Sequence, residues 1–389
     1  MPEIWLPYGS VEVVVSIKAE NLADQLEPNF PLMGEEALAE NLRKVEVKER
    51  TCLFMPRPSR SSIDVMTRLV KTLTDKGVNP STVTVATTRE YAIYLRKQLI
   101  ENKVNVSEIG EPTEFIGSID KVKVKIPRVL KECETPVLIS DTGFDPLFGF
   151  AGGPTALVRH LGNGLMAEAF RRRKGDRPAP GVASSDSAAF ADQVVELLGE
   201  AVSVEVLPGR GGVSGVYVDK PVAAHQAASQ GLLGSSRVSV KSDLKVAMVS
   251  AGGLGFDGTL ADSLRAVWNV VDALGDKGLV ALIAECSGSL GSEALKRLIT
   301  GRLDLEGLLH RGEYIDGLED LLYAKTALRR YTLVLVSALP DYYVEMKLGF
   351  HPCRKTGDAL SYILNSLGSR TKVHLVPHGS TTLLTKGEA

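Results

Sequence analysis

Apolar positions along the chain alternate between two rhythms. Runs in which almost every residue is apolar, Val11 to Ile17, Thr51 to Met55, Thr82 to Ala86 and Pro136 to Ser140, have the pattern of buried strands. Between them, apolar residues return every three or four positions over Glu35 to Val45, Ser61 to about Asp75 and Arg89 to Glu101, as on helices packed over a sheet. The middle is less regular. The Pro- and Gly-containing segment Arg173 to Asp186 reads as an exposed loop, followed by a helix from Ala188 to Glu200 and a strand from Val202 to Leu207. Pro208 to Gly215, with four glycines, reads as a turn, and Lys220 to about Gln230 as a helix.

No strong periodicity crosses Gly231 to Ser242, and a second alternation starts beyond it. Leu244 to Ser250, Gly278 to Glu285, Thr332 to Ser337 and Lys372 to Val376 read as strands. Leu260 to Leu274, Ser292 to Ile299, Tyr314 to Arg329 and Thr356 to Leu367 read as helices. The expected fold class is α/β, as two domains with parallel-type sheets, 1–235 and 241–389, the tail 377–389 packing back on the first.

Composition narrows the function classes. The 389 residues are 44% hydrophobic and 24% charged, the balance of a folded globular chain. Lys and Arg number 45 against 47 Asp and Glu, a net charge of −2. Without a dense basic block there is no footprint for nucleic acid or an anionic membrane. Arg171-Arg172-Arg173-Lys174 reads as the basic last turn of a helix. No apolar run is long enough to span a bilayer, and the N-terminus lacks the pattern of a signal peptide. Cys52, Cys133, Cys286 and Cys353 form no CxxC pair, and the six histidines form no HxH or HExxH spacing. No metal site is expected, and a reducing cytoplasm is the expected location.

Three glycine turns follow predicted strands. Gly253-Leu-Gly255-Phe-Asp-Gly258 opens a helix, which is the context of a dinucleotide fingerprint, with Glu285 placed to take a ribose hydroxyl. Gly149-Phe-Ala-Gly152-Gly153-Pro-Thr155 and Cys286-Ser-Gly-Ser-Leu-Gly291 also lie where ligands bind in open α/β sheets. The first reads also as a plain strand-to-helix turn whose glycines permit tight packing, and the second as a mobile loop. No GxSxG elbow or P-loop occurs, so the residues alone leave the reaction open.

Taken together, Leu6-Pro7-Tyr8-Gly9, Arg57-Pro58, Ala86-Thr87-Thr88, Gly149 to Gly153, Ala223-Ala224-His225, Phe256-Asp257, Ala338-Leu339-Pro340 and Pro377-His378-Gly379 resemble, in order, the segments of the nickel-pincer lactate racemase family. The resemblance covers nearly the whole chain. It implies two α/β domains with the active site in the crevice between them, and a nickel-pincer nucleotide held covalently by a lysine. At that lysine this chain has Thr155, which forms no such tether. The family's two catalytic histidines fall at Arg89, which stays protonated, and Leu147. Its nickel-binding histidine falls at Gly164, its acid ahead of Arg-Pro near Phe54, and its later lysine at Arg265.

The resemblance therefore points to a divergent protein that binds a small anion or nucleotide between its domains without the tethered cofactor. The expected ligand-binding set is Arg57, Gly152, Gly153, Thr155, His225, Gly253, Gly255, Asp257 and Arg265. A second expectation is an active racemase or epimerase of 2-hydroxy acids, with His160 or His225 as replacement base. A third is an NAD(P)-binding enzyme built on Gly253, Gly255, Gly258 and Glu285. A fourth is an interaction subunit, homo-oligomeric or paired with a paralogous partner.

Overall fold

Two six-stranded sheets organise the molecule. In the first the strand order is Gly212–Asp219, Val202–Gly209, Thr135–Asp141, Thr51–Phe54, Val83–Thr87, Asn105–Glu108, parallel except for the first pair. In the second it is His351–Cys353, Thr332–Val336, Leu274–Ile283, Leu244–Ser250, Val373–Val376, Leu22–Gln25, parallel throughout. The computed structural model describes residues 1–99, 101 and 103–387. Thr51–Phe54 is buried at every position, as its unbroken apolar run requires of a strand covered on both faces.

The helix Arg60–Asp75 shows how sequence becomes packing. Val65, Met66, Leu69, Val70 and Leu73 form one apolar stripe against the first sheet, each such burial being worth about 1.5–3 kcal/mol. Ser59 caps it, accepting from the Ser62 N–H, while the Ser62 hydroxyl oxygen accepts from the Ser59 N–H. The Asp141 carboxylate, at the end of its strand, accepts from the Ser59 and Ser62 hydroxyls at 2.7 and 3.1 Å, tying the helix start to the sheet's carboxyl edge.

The chain passes between the sheets more often than the sequence pattern indicates. Glu3–Tyr8 and Val11–Ser16 form a hairpin whose Leu6 and Val15 pack with Val246, Met248 and Ile283 of the second sheet, and Leu22–Gln25 pairs with Val373–Val376. Residues of the range 1–235 thus sit with the second sheet as well as the first. Near the expected boundary the helix runs over Pro221–Ser236, past Gln230, and leads directly into the strand Arg237–Val240. That strand pairs with Leu383–Lys386, whose Leu383 packs with Phe144, Phe150 and Leu207.

Two further expectations are corrected. Pro208 to Gly215 is not a turn throughout: only Arg210 and Gly211 form the loop of a hairpin, and the other glycines lie within its strands. The helix expected over Tyr314 to Arg329 is Leu318–Ala327, started by Gly317 at φ +78°. One core runs through both units, with Phe148, Leu157 and Phe170 on one side and Leu264, Trp268 and Tyr323 on the other. Among the described residues no helix is long and apolar enough to cross a membrane.

Candidate functional site

The carboxyl ends of the two sheets meet at the seam between the units. Arg57, just beyond Thr51–Phe54, is exposed and points across the seam, its Nη2 4.0 Å from Asp262 Oδ1 in the first turn of the helix Leu260–Trp268. Arg265, one turn further along that helix, is half-buried and has no carboxylate within 4.0 Å among the described residues. Its field still reaches Asp145 on the opposite unit. Two cations from different units therefore face one cleft, an arrangement suited to a carboxylate or phosphate. Arg89 is exposed in the first turn of Arg89–Gln98, whereas Leu147 is buried in the shared core.

Behind the cleft lies a charged network that sequence reasoning missed. The Arg159 guanidinium donates to Asp145 Oδ2 at 2.6 and 3.1 Å and to Glu319 Oε1 at 2.9 Å, joining a carboxylate of one unit to a carboxylate of the other. Asp145 also accepts from the Leu147 and Phe148 N–H groups, and Glu319 from the Tyr314 hydroxyl. Burial alone would raise Asp145, but Arg159 and then Arg265 hold it below the usual carboxylate range. Asp320 has no cation within ion-pair distance among the described residues, and Arg159 and Arg265 lower it only weakly. Burial, together with the Glu319 charge, pushes it up to about 7 while it accepts from Trp268 Nε1.

The glycine turns prove to be occupied by the protein itself. Gly152, at φ +142°, and Gly153 wrap the carboxylate of Glu205, a wholly buried residue of Val202–Gly209. A Cβ on Gly152 would collide with Glu205 Oε2 and stand 2.8 Å from His225 Nδ1, and one on Gly153 would collide with Glu205 Oε1. The Gly153 N–H goes to Ser140 Oγ, and the Gly152 N–H to Thr155 Oγ1. Glu205 accepts in turn from Thr142 at 2.7 Å and from Ser140 and Ser203 at 3.3 Å. Thr155 is buried, its hydroxyl closing the loop on the Gly152 and Phe150 carbonyls.

Gly253, at φ +74°, lies against Pro7 and the Gly9 carbonyl, which accepts from the Leu254 N–H. Asp257 is buried and accepts from the Gly9 N–H at 2.7 Å and the Glu285 N–H at 3.3 Å, so it staples the N-terminal hairpin to the second sheet. The Leu260 and Ala261 N–H groups at the start of the next helix go to the Ser289 and Leu290 carbonyls. Gly255 has open space above it. The space a pyrophosphate would need at Gly253 is filled by the hairpin turn.

Two histidines singled out by the sequence have opposite settings. His160 Nδ1 lies 2.8 Å from the Ala156 carbonyl, and burial, helped by Arg57 and Arg159, pushes the ring down to about 4. His225 Nδ1 is buried 3.5 Å from Glu205 Oε1. Burial opposes its charge, but Glu205, with Asp192 and Asp145 behind it, raises His225 above the usual histidine value. Among the described residues no cluster of three or more His, Cys, Asp or Glu side chains is placed to hold a metal ion. A groove of 520 Å³ lined by Pro28, Pro31, Tyr217, Gly234 and Arg237 lies beside the Pro221–Ser236 helix.

No protein-family model and no curated relative matches the sequence. The fold is nonetheless similar to that of the lactate racemase apoprotein from Thermoanaerobacterium thermosaccharolyticum, with a TM-score of 0.81 and 15% identity over 99% of this chain and 100% of that one. A protein from Thermotoga maritima is similar with a TM-score of 0.68 and 12% identity, over 93% of this chain and all of the other. The chain has the lactate racemase fold over its full length.

Proposed function

We propose that this chain is a divergent lactate-racemase-like protein that binds a small anion in the cleft between its two units, through Arg57 and Arg265, without a covalently tethered nickel cofactor. The observation that carries the reading is the pairing of a full-length lactate racemase fold with a cation from each unit at its seam, Arg57 reaching 4.0 Å from Asp262 one helical turn before Arg265. The residues present do not fit the tethered group. Thr155, at the tether position, is 2% exposed and has its hydroxyl committed inside its own loop. Leu147 is in the core, and the Gly152-Gly153 backbone is taken up by Glu205. No step is therefore drawn through a nickel-pincer nucleotide. The dinucleotide alternative finds no support at Gly253, where the Tyr8-Gly9 turn stands in the way.

Intact mass and metal analysis of protein purified from its native organism test the reading. Unmodified mass without stoichiometric nickel is expected, and a covalent increment with stoichiometric nickel overturns it. Calorimetry with lactate and with inorganic phosphate tests the cleft itself. Replacing either Arg57 or Arg265 by Gln should weaken anion binding about tenfold or more, the scale of one charge-assisted hydrogen bond.

A further inference from the structure

Two of the four cysteines, far apart in sequence, are brought together on one face of the first sheet. Cys52 lies in Thr51–Phe54, where successive side chains point to opposite faces. Leu53 and Met55 join the core beneath the helix Arg60–Asp75, while Cys52 and Phe54 join Val124, Ile126 and Leu130 on the other side. Cys133 follows the short helix Arg128–Lys131, which brings Leu130 to that second face, and it packs against the same cluster. The backbone fixes the approach. The Glu134 N–H donates to the Arg50 carbonyl at 2.8 Å, and Thr135 and Pro136 then pair with Thr51 and Cys52. The two thiols meet in a side-chain hydrogen bond, the Cys133 sulfur accepting when it is the thiolate. As a thiol, Cys133 donates to the Val129 carbonyl at 2.9 Å.

Their settings differ. Cys52 is wholly buried, and the Cys133 hydrogen bond together with burial raises its thiol well above the usual value. Cys133 is half-exposed, and the Cys52 hydrogen bond, helped by the Arg50 charge, holds it below the usual value against burial and Glu132. Arg50 itself pairs with Glu134 at 3.1 Å. The remaining two cysteines are buried without a second thiol, and burial pushes Cys286 up to about 12 and Cys353 up to about 11. A half-exposed thiol with a second thiol in hydrogen-bonding reach is the arrangement of an oxidisable cysteine and its resolving partner.

We propose that Cys133 and Cys52 form a reversible thiol–disulfide pair, Cys133 meeting a peroxide at the surface and Cys52 resolving it from the core. The inference is independent of the anion-binding reading above. The Cys133 thiolate attacks a peroxide oxygen, an S–O bond forms, the O–O bond breaks, and the leaving hydroxide takes a proton to become water. Cys52 then gives up its proton and its sulfur attacks Cys133, so that the S–S bond forms, the S–O bond breaks and a second water leaves. The two sulfurs are oxidised by two electrons in all, which the peroxide takes up. Two equivalents of a small thiol reverse the change.

The test treats the whole reduced chain with hydrogen peroxide and reads it by intact mass and by peptide mapping without reductant. Wild type should lose the mass of two hydrogens, yield a linked Cys52–Cys133 peptide and regain its starting mass with dithiothreitol. Cys52→Ala should stop at a Cys133 sulfenic acid that dimedone traps, and Cys133→Ala should slow thiol loss about tenfold or more. Oxidation of wild-type Cys133 to the sulfinic acid with no linked peptide overturns the proposal. So does reaction at Cys286 or Cys353 ahead of Cys133, a result that needs no variant. A reducible dimer linked through Cys133 of two chains, in place of the internal bond, overturns it as well.

Discussion

Replacing Arg159 by Met would test whether the two units are held together through charge. Met keeps most of the aliphatic stem that lies beside Phe148, whose ring centroid is 5.2 Å from the guanidinium carbon, and removes only the cation. Asp145, wholly buried, and Glu319, 3% exposed, are then left without it. Breaking a buried pair costs about 3–5 kcal/mol, because an uncompensated charge remains where water cannot reach. The remaining bonds to Asp145 from Leu147 and Phe148, and to Glu319 from Tyr314, are too few to replace it. With a urea dependence of about 3 kcal/mol per molar for a chain of this size, the unfolding midpoint should fall on the order of 1 M.

The deficit carries a pH signature. Without Arg159 the burial that raises the Asp145 carboxyl loses its main opponent, so the folded variant holds a proton that the unfolded chain has released. Stability is then lost as pH rises through the unfolded value toward the folded one, and the deficit at pH 8 should exceed that at pH 5. Adding Glu319→Gln to Arg159→Met removes one orphaned charge and should return about 1 kcal/mol or more. A midpoint unchanged by Arg159→Met, or a deficit that grows on acidification, refutes the reasoning.

Gly153→Ala should cost about 1–3 kcal/mol in denaturant unfolding, since its Cβ meets Glu205 Oε1 and Ser203 Oγ, whereas Gly234→Ala, in a helix with open space above it, should gain about 0.5–1 kcal/mol. Asp320→Asn should flatten the stability profile between about pH 4 and 7 and exceed wild type at pH 8. The raised carboxyl makes folding less favourable as pH rises toward its folded value, and Asn still accepts from Trp268; equal profiles would refute this. Thr155→Val leaves the Gly152 N–H unpaired in a buried loop and should cost about 1–3 kcal/mol, while Thr155→Lys should fail to confer nickel, as metal analysis after expression with a cofactor supply would show.

Much of the scaffold was legible because parallel sheets write themselves as short apolar runs between amphipathic helices. Thr51–Phe54, Val83–Thr87, Thr135–Asp141, Leu244–Ser250 and Thr332–Val336 all fall where the pattern puts them. The strands that escaped have weaker patterns. Leu22–Gln25 is only half apolar and finds its partner some 350 residues away, and Arg237–Val240 alternates with charge at an edge. Glu205 did leave a trace, as a lone acid in the run Val-Ser-Val-Glu-Val-Leu, but nothing local says that the partners it needs are Ser140, Thr142 and His225. The Arg159 network is the same case, four residues from distant segments that only the docked units bring together.

The glycine turns carry the sharper lesson, since their spacing cannot tell a ligand cradle from a packing joint. What distinguishes the two is where the backbone N–H groups go. At Gly152 and Gly153 they go to Thr155 and Ser140, and at Leu254, Leu260 and Ala261 to the carbonyls of Gly9, Ser289 and Leu290. A cradle must leave such donors open toward a common point, and here each of them is already committed within the protein. The anion at the start of the helix Gly153–His160 is the chain's own Glu205, covering the place where a ligand's charge would sit. On the proposed anion-binding reading, recognition in this cleft falls to side chains, Arg57 and Arg265. Exposed long-stemmed cations are screened by salt more strongly than a buried backbone nest would be. Anion affinity in the cleft should therefore fall steeply with ionic strength, and a salt-independent affinity would mean that a backbone site still carries the binding.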